Sequence, residues 1–374
     1  MARNRFLVGL ILLVFFVISL LSNILGPIVP DIISTFSASM GAAGFLVFAF
    51  FIAYGVMSVP AGFLVERYSE KPVMIGAFIG AALGSIGFAL HPTYKVAFVS
   101  LFVIGIGMAM LQVAINPLLR VAGGEEHFAL NETLAQLLFG SASFVSPWIY
   151  SYLVLNLPQA QPPNPFLRIL RHVTPAGMPW VSLYWIFAAV AVTMVFVITV
   201  SRFPAVQHTA EERPGTLAMY SSLARRPLVW LYFLAIFAYV GCEQGTANWI
   251  SQFLSHYHGY DPHTVGARAV SWFWGLMTCG CFAGAFLLRI FDSRRVLIGA
   301  ATGALAMLSL GLFGSASVSV IALPLVGLFA SVMWPVLISL ALNSVAEYHG
   351  SFTGILTTGI MGGAIVTAII GRIG

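Results

Sequence analysis

Gly62-Phe63-Leu64-Val65-Glu66-Arg67-Tyr68-Ser69-Glu70-Lys71 is a short charged break between two long apolar runs. A similar break returns 222 residues later as Gly284-Ala285-Phe286-Leu287-Leu288-Arg289-Ile290-Phe291-Asp292-Ser293-Arg294-Arg295, again between apolar runs. A second pair keeps nearly the same offset, since Asn116-Pro117 and Trp334-Pro335 lie 218 residues apart. Repeats at a near-constant spacing imply two similar helical bundles in one chain, related by a pseudo-two-fold axis.

The runs around these breaks are long enough to cross a bilayer. About 20 apolar residues span about 30 Å of hydrocarbon. Eleven segments qualify: 6–29, 42–65, 72–90, 95–119, 129–155, 180–201, 228–254, 265–289, 295–313, 317–343 and 351–371. They are continuous apolar stretches, which excludes the short alternating strands of a membrane β-barrel. The expected fold is therefore all-α and membrane-embedded. Residues 1–201 form a six-span bundle, 202–227 a charged cytoplasmic linker, and 228–374 a second bundle with five spans. The twelfth span that the repeat requires is missing, and we read this as a truncation.

Composition agrees. The 374 residues are 59% hydrophobic and 8% charged, with 17 basic and 12 acidic side chains. A soluble chain of this length would carry about 90 charges. The mean hydropathy is +0.95. A soluble enzyme, a nucleic-acid binder and a disordered chain are excluded, and the lipid bilayer is the implied partner. The net charge of +5 comes from basic residues scattered over short loops rather than one stripe. With the N-terminus in the cytoplasm, inner segments hold twelve Lys/Arg and outer ones only Lys95, Arg168, Arg171 and Arg268. The positive-inside rule therefore selects that orientation. The three cysteines, Cys242, Cys279 and Cys281, lie in apolar runs and read as small core residues. The Pro-rich stretch 156–179 reads as an outer loop with a short interfacial helix near Phe166–His172.

Most acids fall in loops, Asp31 and Asp261 among them. Glu243 does not: it sits some fifteen residues into span seven. A charge near mid-membrane costs at least about 2.5–3.5 kcal/mol on insertion scales, so it is kept for a cavity, a partner or a proton. The bland alternative is a neutral Glu bonding a neighbouring helix. Around it, Glu243 and Thr246 share one helix face, and Gln244 and Asn248 share another about 100° away. So polar a helix must face a cavity. Fixed amides and carboxylates match sugar hydroxyls, each of which donates and accepts. Trp249 is a candidate to stack on a sugar face, or else an interfacial anchor. Gln112 and Asn116 share a face of span four, and Asn23 is a third deep amide. Interhelical hydrogen bonds are the alternative use of these three, worth about 0.6 kcal/mol each. Pro117 and Pro335 free the carbonyls of Val113 and Ser331 and bend their helices, as gates or as plain kinks. Trp334 beside Pro335 is placed to line the cavity.

The Gly62-x-Leu64-x-Glu66-Arg67-x-x-x-Lys71 loop resembles the inner-loop signature of the major facilitator superfamily. Glu66 stands where that pattern has Asp, and Ser69 where it has Gly. Further stretches resemble its fucose/galactose/glucose–proton symporters: Gln112 to Pro117, His127 to Asn131, Phe237 to Gly241, Pro335 to Ser339 and Gly362 to Thr367. The resemblance implies two six-helix bundles, a monomer in the bacterial inner membrane, and symport of a sugar with protons or another cation. It also implies gating by inner-face charges, carried over to Glu66, Arg67, Asp292 and Arg294. An acid there acts on the N-terminal end of a helix, where an anion is favoured. Gln136 is the nearest counterpart of the family's Gln in span five, two residues out of register.

Two departures bear on coupling. The family's Asp in span one is replaced by Gly26, and its Glu in span four by Gln112. An amide cannot take up a proton as a carboxylate does. Glu243 is then the expected coupling or solute-binding carboxylate. The expected function is a transporter of a small hydroxylated solute, a hexose or deoxyhexose, working by alternating access. The alternatives are a carrier of amphipathic drug-like compounds, against which the deep amides argue, and a transporter-like sensor. No cofactor, metal site, nucleic-acid partner or enzymatic constellation is expected. His256, His258 and His263 read as a solvated outer loop, and Asn131-Glu132-Thr133 as a sequon on the wrong side of the membrane.

Overall fold

A computed structural model of the chain describes residues 5–124, 128–159, 164–203, 217–345 and 349–373. In chain order its helices are α1 (Arg5–Ser22), α2 (Leu25–Phe36), α3 (Met40–Tyr68), α4 (Glu70–Leu90), α5 (Tyr94–Gly123) and α6 (Phe128–Asn156). There follow α7 (Pro165–Val173), α8 (Ser182–Val200), α9 (Leu217–Ala224), α10 (Pro227–His258) and α11 (Ala267–Ile290). The last are α12 (Ser293–Phe313), α13 (Ala316–Ala330), α14 (Met333–Leu342), α15 (His349–Thr358) and α16 (Met361–Ile373). Residues 204–216, half of the linker expected at 202–227, lie outside the described residues, and α9 falls in the other half.

Among the described residues, eleven helical segments are long and apolar enough to cross a membrane. In lipid each backbone group must be satisfied within its own segment, which dictates helices. Polar side chains close the ends where the sequence leaves the apolar runs. Ser39 accepts from the Ala42 amide at 3.2 Å, Asn164 from Leu167 at 2.8 Å and Asp292 from Arg294 at 2.9 Å. The Asn164 cap starts α7, the short helix expected near Phe166–His172.

Three spans are broken, with breaks between α1 and α2 at Asn23-Ile24, between α13 and α14 at Ser331-Val332, and between α15 and α16 at Gly359-Ile360. Pro335 lies in the first turn of α14, where a missing N–H costs least. The Ser331 carbonyl it cannot bond accepts the Cys281 thiol at 3.6 Å. α5, by contrast, runs through Pro117 without interruption.

Close packing rests on small residues that let backbones meet, as helices in lipid require. In the first half α3, α4, α5 and α8 pack together and α1 lies between α5 and α6; in the second, α13 packs on α11 and α12. The halves meet where α3 lies on α16, α6 on α11 and α2 on α10. Leu83, Phe196, Ile298 and Phe313 stand more than 60% exposed, an outer surface suited to lipid rather than water. The cysteines depart from their expected place in the core: all three are exposed.

Candidate functional site

One face of the molecule carries Arg67, Lys71 and Arg294, and is here called the basic face; the opposite one carries Asp31 and His263. The named contacts between the halves run from the His263 face to mid-depth. Ser271 donates to the Phe144 carbonyl, Gly275 lies under the Phe144 ring, and Gly140 meets Thr278. A Cβ on Gly44 would stand 3.1 Å from the Thr367 carbonyl oxygen. Toward the basic face, among the described residues, α5 has no extensive packing against α13 or α14.

Glu243 sits half-buried at mid-length on α10. Helical spacing supplies its partners. Tyr239, four residues earlier, donates its hydroxyl to Glu243 Oε2. Gln244 Nε2 donates to Glu243 Oε1 at 2.9 Å, and Asn248 Nδ2 donates to Gln244 Oε1 at 3.2 Å. Asn248 also donates to the Gln244 carbonyl at 2.8 Å. The four side chains form one ladder. Both ends of the Gln244 amide are used within it, so Gln244 and Asn248, each buried, position the carboxylate. Two donors reach Glu243 and leave acceptor capacity free. Among the described residues it has no ion-pair partner. The Trp334 ring lies 6.3 Å from the Tyr239 ring, bringing α14 against the ladder.

The other expected site residues fall into two groups. Gln112 is half-buried and Asn116 exposed on α5, and among the described residues neither amide has a hydrogen-bond partner. Gln136 is exposed one turn toward the basic face from Gly140, and donates to Glu132 Oε1 at 3.1 Å. These amides are free or nearly so. Asn23 and Trp249 are not. Asn23 Nδ2 donates to Ser143 Oγ at 2.8 Å, tying the α1–α2 break to α6. Trp249 donates to the Thr367 carbonyl at 3.1 Å, and its ring is wedged beside Gly44 and Gly371. Its faces are covered in this conformation, where the sequence offered it as a stacking platform or an interfacial anchor.

At the basic face, Glu66, Arg67, Asp292 and Arg294 are exposed. The Arg67 guanidinium lies 5.3 Å from the ring of its neighbour Tyr68. Asp292 does sit at a helix N-terminus, that of its own α12. Lys71, which the charge pattern did not single out, donates to the carbonyls of Thr199 and Ser201 at 2.8 Å each, closing the end of α8.

Five further residues, Asp31, Tyr150, Tyr239, His258 and His263, were read wrongly from sequence or missed. Asp31 is no loop residue: it lies within α2 and is 9% exposed. Tyr150 donates to its Oδ2 at 2.6 Å, and His263 Nε2 stands 3.0 Å from its Oδ1. His258 pairs with Ser319 at 3.0 Å, so two of the three histidines tie helices rather than sit in a solvated loop. Only Tyr239 had a local signal, its i−4 spacing from Glu243; contacts over 119 or 232 residues of chain leave none.

A two-bundle helical membrane carrier is the class that this fold and its mid-membrane polar ladder define. The chain belongs to the Major Facilitator Superfamily, whose pattern matches residues 11–368. It is thus a transporter and not an enzyme. It is 28% identical over 374 residues to the glucose/galactose transporter of Brucella abortus biovar 1 (strain 9-941), covering 96% of this chain and 86% of that one. It is also 28% identical over 379 residues to the L-fucose-proton symporter of Escherichia coli (strain K12), covering 96% and 84% respectively. A crystal structure of the E. coli fucose:proton symporter superposes with a TM-score of 0.69 at 24% identity, covering 100% of this chain and 92% of that one.

Proposed function

We propose that this protein is a secondary active transporter of a hexose or deoxyhexose, with Glu243 as the residue that binds the solute and couples it to a cation, most simply a proton. One observation carries the reading. A half-buried carboxylate at mid-membrane is held in place by a hydroxyl and one amide, that amide braced by Asn248, with no basic partner among the described residues. Keeping it there costs energy that only a cavity function returns. The unbonded Gln112 and Asn116 and the Gln136–Glu132 pair supply donors and acceptors from the other bundle, and Trp334 supplies an aromatic wall.

The names of the relatives, a glucose/galactose transporter and an L-fucose-proton symporter, support a sugar as cargo. The free amides also favour a hydroxylated solute over an amphipathic one. Bundle contacts concentrated at the His263 face correspond to a carrier closed there and open toward the basic face. In the orientation with a cytoplasmic N-terminus, the basic face is cytoplasmic and this is an inward-open state. Glu66, Arg67, Asp292 and Arg294 then stand apart, as gating charges do while their face is open, and the Pro335 break lets α14 move against α13. The two bundles, 1–201 and 228–374, rock about the solute as a monomer in the bacterial inner membrane.

Counterflow in proteoliposomes tests the reading. Labelled glucose, galactose or fucose should exchange without an imposed proton gradient. Exchange of none of the three, with the protein correctly folded, contradicts a sugar as cargo.

A further inference from the structure

We propose that Asp31, Tyr150 and His263 form a proton-sensitive latch that holds the His263 face of the transporter shut. This rests on the alternating-access reading above but not on the identity of the solute. The pair joins the two halves directly: Asp31 belongs to α2 and His263 to the turn that leads into α11. Their contact is 3.0 Å, with the histidine side chain 29% and the aspartate 12% exposed. Tyr150, fully buried on α6, takes the second oxygen of Asp31 at 2.6 Å and fixes the carboxylate toward the imidazole. Opening this face must separate α2 from the α11 turn and so break the pair.

The arrangement around the ring makes the contact depend on protonation. The titratable groups facing it are Asp31 from α2, Tyr150 from α6, and Asp261 beside it in the turn, whose Oδ1 lies 3.7 Å from His263 Nδ1. From α10 the contacting side chain is Ser251, which bonds the Pro262 carbonyl and does not titrate. Arg268, the next charge along α11, is exposed. Each ring nitrogen thus has a carboxylate on its side. A doubly protonated imidazolium donates to Asp31 as a charged pair and is attracted to Asp261 at 3.7 Å, whereas a neutral ring keeps at most the single hydrogen bond to Asp31 and neither ion pair. Histidine changes charge within about pH 5–8. Acid therefore strengthens the latch, and rising pH weakens it. His263 stays partly open to the medium on its own side while the latch is shut, so the proton it holds is exchanged with that side and not carried across. The device senses pH at one face, and Glu243 remains free for coupling.

Double electron–electron resonance reads this without any solute. Spin labels go on His91→Cys and Ser315→Cys, loop positions at the His263 face of the first and second halves, with Cys242, Cys279 and Cys281 replaced by Ala, in lipid nanodiscs. The expected result is a short-distance peak at about pH 5.5 that gives way to longer distances toward about pH 8. Asp31→Asn and His263→Gln should both lose the short peak across that range. His263→Lys, which keeps a charge at every pH tested, should restore the short peak and remove its pH dependence. Distances that are unaffected by pH in the unsubstituted background, or by both substitutions, overturn the proposal. Because no sugar is present, these outcomes stand whether or not counterflow is found.

Discussion

Gly26 lies directly against the backbone of Ala247: a Cβ at position 26 would stand 2.4 Å from the Ala247 carbonyl oxygen and 3.1 Å from the Asn248 Cα. That space is used by the close crossing of α2 and α10, and a side chain at position 26 cannot coexist with the closed His263 face. This predicts that Gly26→Asp drives the face open, lengthening the distance between labels at positions 91 and 315, and slows counterflow several-fold. Gly26→Ala should do the same more weakly.

Tyr239 donates to Glu243, and its removal should cost one hydrogen bond to a carboxylate. Such bonds are worth about 1.5–3 kcal/mol. Tyr239→Phe should therefore lower the melting temperature of the detergent-solubilised protein and also weaken half-saturation of exchange several-fold, because the carboxylate loses the donor that orients it. An unchanged half-saturation would detach the ladder from the solute site.

Trp249 separates structure from binding. Its ring fills the junction of α3, α10 and α16 and its N–H holds the Thr367 carbonyl. Trp249→Ala should destabilise the protein by about 3–5 kcal/mol, as large-to-small core changes do. A lowered melting temperature is the expected result, with solute affinity of the folded fraction retained. Loss of affinity at unchanged stability would restore the stacking role that its place in the sequence invites.

Lys71 closes the C-terminal end of α8 through two carbonyls. Lys71→Met keeps the aliphatic stem and deletes those bonds. Stability should fall by about 1–3 kcal/mol, read as a lower melting temperature, without a change in pH dependence.

Much of this architecture could be read from the chain. Eleven long apolar runs and two charged breaks at a constant spacing suffice to specify a two-bundle helical protein, because lipid leaves the backbone so few options. The mid-helix depth of Glu243 was legible for the same reason, since an acid so deep in an apolar run carries an energetic cost. What escaped were relationships between distant segments. Asp31 reads as a loop residue because Pro27, Pro30 and its own charge interrupt the apolar pattern, yet α2 continues through it as a helix. Gln244 and Asn248 read as solvent- or solute-facing because polarity in a span suggests a cavity; the structure has them bonded to each other and buried against α2 and α16. Periodicity places residues on a face, but which neighbour that face meets is settled by tertiary packing. The break at Asn23 lies four residues before Pro27, the spacing that Pro335 keeps from Ser331, and Gly359 is itself a weak helix former, so both breaks had local cues that the hydrophobic pattern overrode.

The most direct measurement is solute accumulation in proteoliposomes under an imposed inward proton gradient, with Glu243→Gln beside the unsubstituted protein. The account predicts accumulation in the unsubstituted protein and its loss in Glu243→Gln. Accumulation by Glu243→Gln at the unsubstituted level would contradict the assignment of coupling to Glu243.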